Sequence, residues 1–379
     1  MKPPSGRATF LLSALVAALL WTTGVAGQPG RGLYLTRNGF RAPLYGVSQT
    51  HHAEGNATTA CAALDAVQVD AARIGVRVSR SMLANSPQAI VGGPAGGATF
   101  DVRYTDAQGT GFLATSNGAT RRRAFEAALT AWSKVLYADQ PIRVEATMHE
   151  MDDGDDDPDT SLLATAGPTD FWLIDDTIAP SALLWQMIGG RYENAGDSDI
   201  SVNVNDQIDW DYRLDGGSAP GKSSLMYTLM HELAHGLGMI DSFDSETGAL
   251  SNDPVPFVFD VFVNRGFSRR NRIIDHPSAE ALRDMVSGAL FFNGDSASEA
   301  SRAHNRPLFM VKLYAPDPYE PGSSVSHVDQ VSYEDNRIAP ALMTPYLGKG
   351  SDTIDRLTLG IMKDLGYALV TNATTRTPQ

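Results

Sequence analysis

Cys61 is the only cysteine in 379 residues, so no disulfide within the chain can brace it, and stability has to come from a packed core or from bound metal. Basic charge is also scarce. Lys and Arg number 30 against 44 Asp and Glu, a formal charge of −14, which argues against nucleic acid or an anionic membrane surface as partner. Long apolar runs are missing beyond the first residues, so nothing later in the chain reads as a bilayer span. There is no internal repeat. At 42% hydrophobic and 20% charged, the composition is that of a globular chain long enough for one large domain or two modest ones.

The opening MKPPSGRATFLLSALVAALLWTTGVAG has a basic start at Lys2 and Arg7, an apolar run from about Ala8 to Trp21, and small residues at Gly24 and Ala26. The run is shorter than the roughly 20 apolar residues of a span, so residues 1–26 read as a secretory signal peptide rather than an anchor. Its loss removes Lys2 and Arg7 and brings the charge to about −16, which suits a soluble, extracellular, monomeric protein with no membrane partner after cleavage.

Residues 27–97 are rich in Gly, Ala and Ser and close on VGGPAGGATF, a linker or loop signal; they read as an N-terminal elaboration or a removable pro-region. His51 and His52 read as a surface pair. Cys61 reads as a buried, inert thiol, with a cap on a metal site as the sharper alternative. Asn56 and Asn372 each open an Asn-Ala-Thr acceptor site for glycosylation.

From Phe100 the patterning tightens. TFDVRYTD alternates as a strand, the stretch from Ala119 to Asp139 puts Phe125, Leu129, Trp132, Val135 and Leu136 on one helical face, and PIRVEATM returns as a strand. Strand, helix, strand predicts an α/β layer over one core. DISVNVND, from Asp199 to Asp206, alternates as a half-buried strand and is expected to offer a sheet edge to which a peptide can add. The acidic run at residues 152–159 reads first as a solvated loop; Ca²⁺ is the sharper reading, but the spacing of a known calcium loop is absent. A short apolar helix is expected in TIDRLTLGIMKDLGYALV, and a disordered tail over 371–379.

The chemistry concentrates in SSLMYTLMHELAHGLG, from Ser223 to Gly238. Ser223 or Ser224 can cap a helix, and Leu225, Leu229, Leu233 and Leu237 recur every fourth residue. His231 and His235 then lie one turn apart on one face, able to bind a single ion at about 2.0–2.1 Å if it is zinc. Glu232, beside the first histidine, is placed to act as general base on a metal-activated water and to pass the proton to a leaving amine. Gly238 is expected to end the helix in a left-handed turn.

H-E-x-x-H-x-x-G resembles the motif of the metzincin metalloproteases, whose third zinc ligand is a histidine or aspartate three residues after that glycine; here that position is Asp241. A second claimant is His327, in GSSVSHVDQ, which lies 16 residues before Met343 in ALMTP. SHVD, ALMTP and LTLGIMKDLGY follow one another as in leishmanolysin-like metzincins, which take the third histidine from beyond a long insertion. The resemblance covers roughly Phe100 to Leu369. It departs from the parasite enzymes in lacking their cysteine framework and in a longer spacing from His327 to the methionine, and is nearer to cysteine-poor secreted bacterial relatives.

The resemblance implies an α+β metzincin-like zincin over residues 98–370, with a twisted mixed sheet, a zinc-binding active-site helix and a C-terminal subdomain containing a methionine turn. It implies one catalytic Zn²⁺ on His231, His235 and His327, with Asp241 as the alternative third ligand, Met343 in the turn, Glu232 as base, and a protein or peptide as substrate. Tyr346 is a weaker candidate for oxyanion stabilisation. His149, His276 and His304 carry no motif. The rival readings are an extracellular binding protein that keeps zinc for stability and a metal-dependent amidase acting on a small substrate.

Overall fold

The computed structural model describes residues 49–54, 58–63, 89–92, 97–138, 140–151, 160–169, 171–174, 176–183, 198–252, 254–303, 309–333, 341–347 and 350–370. The expected signal peptide, Asn56, the acidic run 152–159, His304, Asn372 and the tail 371–379 lie outside the described residues.

Two short strands, β1 (Gln49–Glu54) and β2 (Thr58–Ala63), form an antiparallel pair in which His51 stands opposite Cys61. Next come β3 (Ala89–Gly92) and β4 (Thr99–Tyr104). In β4 the alternation is realised: Phe100, Val102 and Tyr104 are buried, while the residues between them are partly exposed. Helix α1 (Gly118–Ser133) covers that apolar face with Phe125, Leu129 and Trp132, and β5 (Ile142–His149) follows with Ile142, Val144, Ala146 and Met148 buried. The helix stops at Ser133, short of the expected Asp139. Leu136 is still buried, but as the partner of Leu369 in an antiparallel bridge, so the apolar spacing runs on through a turn where the helix has already ended.

Strands β6 (Thr160–Leu162), β7 (Ala164–Pro168), β8 (Phe171–Ile174), β9 (Thr177–Pro180) and β10 (Ile200–Asn205) complete this half. The main sheet has the order β3-β4-β5-β10-β7: β4, β5 and β10 are parallel, while β3 and β7 run antiparallel to their neighbours. The protein is therefore α+β with a mixed sheet, and β3, which lies before residue 98, is one of its edges. One expectation is corrected. The DISVNVND strand, β10, is interior, paired with β5 on one side and β7 on the other. Alternating burial looks the same in an edge strand and in an interior one, because it reports faces and not lateral neighbours.

After the paired dipeptides β11 (Trp210–Asp211) and β12 (Ser223–Ser224) comes helix α2 (Leu225–Gly236). All twelve of its residues are buried, the mark of a helix enclosed by protein on every side. Trp132 of α1 is fully buried and donates its indole N–H to the Met230 carbonyl at 2.9 Å, joining the two helices. Gly236 lets α2 press onto the sheet: a Cβ there would stand 2.4 Å from Ile200 Cγ2.

The second half holds β13 (Val263–Arg265), α3 (Ser278–Met285), β14 (Leu290–Phe292), α4 (Asp295–Ala303), β15 (Val311–Lys312), α5 (Gln330–Tyr333), β16 (Tyr346–Leu347) and α6 (Arg356–Leu365). Helix α6 buries Leu357, Ile361, Met362 and Leu365 and ends at Gly366 with φ 115°, as expected of the closing apolar helix. The hairpin of β1 and β2 pairs with both halves, β1 with β6 and β2 with β16. Among the described residues no helix is long and apolar enough to cross a membrane.

Candidate metal centre

Of the two possible caps for helix α2, the structure uses the second. Ser224 is the cap, its hydroxyl accepting the Tyr227 amide at 3.3 Å. At the other end Gly238 has φ 107°, and the Met239 amide reaches back to the Ala234 carbonyl at 3.1 Å, closing the left-handed turn expected of that glycine. The turn has a direct consequence for the site. It brings the Met239 carbonyl to 2.7 Å from His235 Nδ1.

His327 approaches from a different part of the chain. Its carbonyl accepts the Tyr314 amide at 2.9 Å, and Val328 bridges Leu313, so the segment is laid beside the strand that continues from β15. Val325, two residues earlier, is buried with φ 71°. For a β-branched residue the left-handed region costs on the order of 1–3 kcal/mol, a strain that persists only where surrounding contacts impose it.

The three imidazoles meet through Nε2: 2.9 Å between His231 and His235, 3.1 Å between His231 and His327, and 3.2 Å between His235 and His327. Each ring is turned by a bond from its other nitrogen to a backbone carbonyl. His231 Nδ1 faces Leu342 O at 2.7 Å, His235 Nδ1 faces Met239 O at 2.7 Å, and His327 Nδ1 faces Ser323 O at 2.9 Å. A carbonyl oxygen only accepts, so the network assigns the proton to Nδ1 in all three rings and leaves three Nε2 lone pairs aimed at one point. Lone pairs so close repel unless a cation sits among them. Bonds of about 2.0–2.1 Å at tetrahedral angles put ligand nitrogens about 3.3–3.4 Å apart, close to the spacing here.

Burial agrees with this. The side chains are sealed from water, with relative exposures of 0% for His231, Glu232 and His327 and 1% for His235. Burial pushes His235 down to about 3, partly offset by its bond to Met239 O. His327 lies well below its ordinary value, again through burial first and then its closeness to His235. Both rings are therefore neutral at physiological pH, the form in which histidine binds metal. The group His231, His235 and His327 could hold a metal ion.

Asp241 is outside this group; its Oδ1 accepts the Phe243 amide at 3.1 Å in a local turn. Met343 is fully buried in the turn whose Leu342 carbonyl orients His231. Tyr346 directs its hydroxyl to Glu320 Oε2 at 3.4 Å, sharing that carboxylate with Tyr314. His149 is exposed.

His276, Glu280 and Asp284 form a second group of possible ligand atoms that sequence reasoning did not single out. There the buried Asp284 carboxylate is already engaged, by Arg265 Nη1 at 2.5 Å and by His276 Nδ1 at 2.6 Å. A metal would have to displace a guanidinium, so this cluster is an ion-pair network bracing α3.

Asp260 was also not anticipated. Fully buried beyond the metal helix, it accepts from the Ser242 hydroxyl at 2.6 Å and from the amides of Ser242 and Phe257 at 3.2 and 2.8 Å. Burial nevertheless pushes its carboxyl up to about 7.

Fold and site together define an α+β protein with a mixed sheet and a buried three-histidine site able to hold a metal ion. Residues 99–264 match a family model described as SPBPB7E8-like, a span that holds β4 and α2 but stops short of His327. No curated protein and no solved structure matches the chain.

If the metal this group could hold is zinc, His327→Ala is expected to abolish its stoichiometric uptake measured by atomic absorption, while Asp241→Ala retains it; the reverse pattern would assign the third position to Asp241. For Asp260, a folded value above the ordinary 3.8 means that the folded state keeps the proton longer. Its contribution is full below about pH 4 and is lost as pH rises through about 7, a change on the order of 2–4 kcal/mol. Urea denaturation of Asp260→Asn at pH 5 and pH 7.5 should show a smaller fall in stability than wild type, and equal falls would show that Asp260 does not titrate in this window.

Proposed function

We propose that the protein is a secreted zinc endopeptidase of the metzincin type, resembling cysteine-poor leishmanolysin-like enzymes, with a peptide or protein as substrate. The observation that supports this best is the convergence of three Nε2 lone pairs, two of them from the helix on which Glu232 directly follows His231. Three protein ligands leave the fourth position of a tetrahedral ion for substrate or water, whereas structural sites fill all four from the protein.

His231, His235 and His327 would hold the zinc, which would supply Lewis acidity toward a carbonyl and toward water. The three carbonyls of Leu342, Met239 and Ser323 keep the ring protons on Nδ1 and hold the rings in place. Glu232 takes the proton of the attacking water and delivers it to the amine that leaves.

The burial of all four side chains also favours a second reading, a zinc-stabilised extracellular protein without catalysis. Glu232 separates the two, because a structural site has no use for a base. Glu232→Gln is expected to retain zinc and to lose casein cleavage by at least about a thousandfold; a variant as active as wild type would end the protease reading, and a wild type that binds zinc and cleaves nothing would favour the structural one.

Within the protease reading, the N-terminal segment acts as a pro-region. The support is the pairing of β1 and β2 with β6, next to the sheet edge β7, and with β16, which starts three residues after Met343. A chain beginning at Ala89 should cleave casein at least tenfold faster than one beginning at Gln28. No gain would remove the pro-region role.

A further inference from the structure

The site depends on a turn that touches both parts of it. Leu342 O receives the His231 ring proton at 2.7 Å, and Met343 O receives the amide of Val328, the residue after His327, at 2.9 Å. Helix ligand and loop ligand thus lean on two consecutive carbonyls. What holds the turn from the other side is a carboxylate: the Leu342 amide donates to Asp355 Oδ2 at 2.8 Å.

Asp355 is itself fixed in aim. It caps α6, with Oδ1 accepting the amides of Leu357 and Thr358 at 2.8 and 3.1 Å, while Oδ2 also takes the Thr358 hydroxyl at 2.6 Å. A helix cap needs one acceptor oxygen. The second oxygen is directed at the turn, and α6, anchored by Leu357 and Ile361 in the core, transmits a rigid position to it.

We propose that Asp355 is a positioning residue for the metal centre, setting the height of the Leu342–Met343 turn and through it the orientation of His231 and His327. This rests on the metal-centre reading above. It explains why an acid is used where serine or asparagine would cap equally well. Asparagine keeps an acceptor for Leu357 and Thr358 but turns an NH₂ donor toward the Leu342 N–H, setting donor against donor at the turn.

The test compares Asp355→Asn and Asp355→Ser, both able to cap α6, with Thr358→Val, which removes the hydroxyl bond alone. Zinc affinity is measured by chelator competition, apo-protein melting by calorimetry, and the His231 ring state by long-range ¹H–¹⁵N spectra of the apo protein. Asp355→Asn is expected to lose about 10–100-fold in zinc affinity while still melting cooperatively as a folded apo protein, with His231 no longer held in the single Nδ1–H form. Thr358→Val should stay within about threefold of wild type. If Asp355→Asn does not fold, Asp355→Ser carries the same expectation. Zinc affinity within threefold of wild type and an unchanged His231 spectrum in the folded variants would overturn the proposal. Should wild type bind no zinc, the metal-centre reading falls, and an unchanged ring spectrum would then overturn the role of Asp355 separately.

Discussion

Three buried imidazole nitrogens face one another at 2.9–3.2 Å, and the rest of the structure is arranged to keep them there. Each ring would relieve the repulsion by rotating or by taking up a proton. Rotation is opposed by the three bonds from Nδ1 to backbone carbonyls, and protonation of His235 and His327 by burial, which disfavours the charged form. A site held in this way gains most from a cation, because an ion among the lone pairs turns their mutual repulsion into three attractive bonds.

The three carbonyls come from three different structural devices. Met239 is delivered by a left-handed glycine turn at the end of α2, Ser323 by a loop with Val325 in a strained conformation, and Leu342 by a turn pinned to the cap of α6. Local backbone geometry therefore sets the directions of the three rings more directly than the surrounding apolar packing does. The packing contributes rigidity instead. Helix α2 is enclosed on all sides, with Trp132 and Ile200 against it, which holds the frame of His231 and His235 in place.

Much of the α2 region was legible in the sequence. A four-residue spacing of histidines, a serine cap and a terminal glycine act within one helix, and their meaning does not depend on what lies across the fold. The strand, helix, strand order of β4, α1 and β5 was legible for the same reason. The end of α1 was not, because Leu136, paired with the distant Leu369 in a bridge, stays buried beyond the helix and mimics another helical turn. Nor was the interior place of β10, since the neighbours of a strand leave no mark on its alternation. Asp260, Asp284 and Asp355 look in sequence like any other aspartates, and their roles come from donors that folding brings to them.

The choice between Asp241 and His327 marks the boundary. From sequence alone came a helix, two histidines on one face, a glutamate beside the first and a turn, since hydrogen bonds and side-chain spacing over four residues are fixed by helix geometry. His327, which the resemblance implied and the helix pattern did not, stands 96 residues from His231, and the tertiary structure brings the two rings together through the bridge of Val328 to Leu313 and the turn at Leu342. Asp241 is nearer along the chain, but its carboxylate serves the local turn at Phe243. Distance in space, which decides ligation, is set by packing between segments, and one chain read end to end carries no direct record of it.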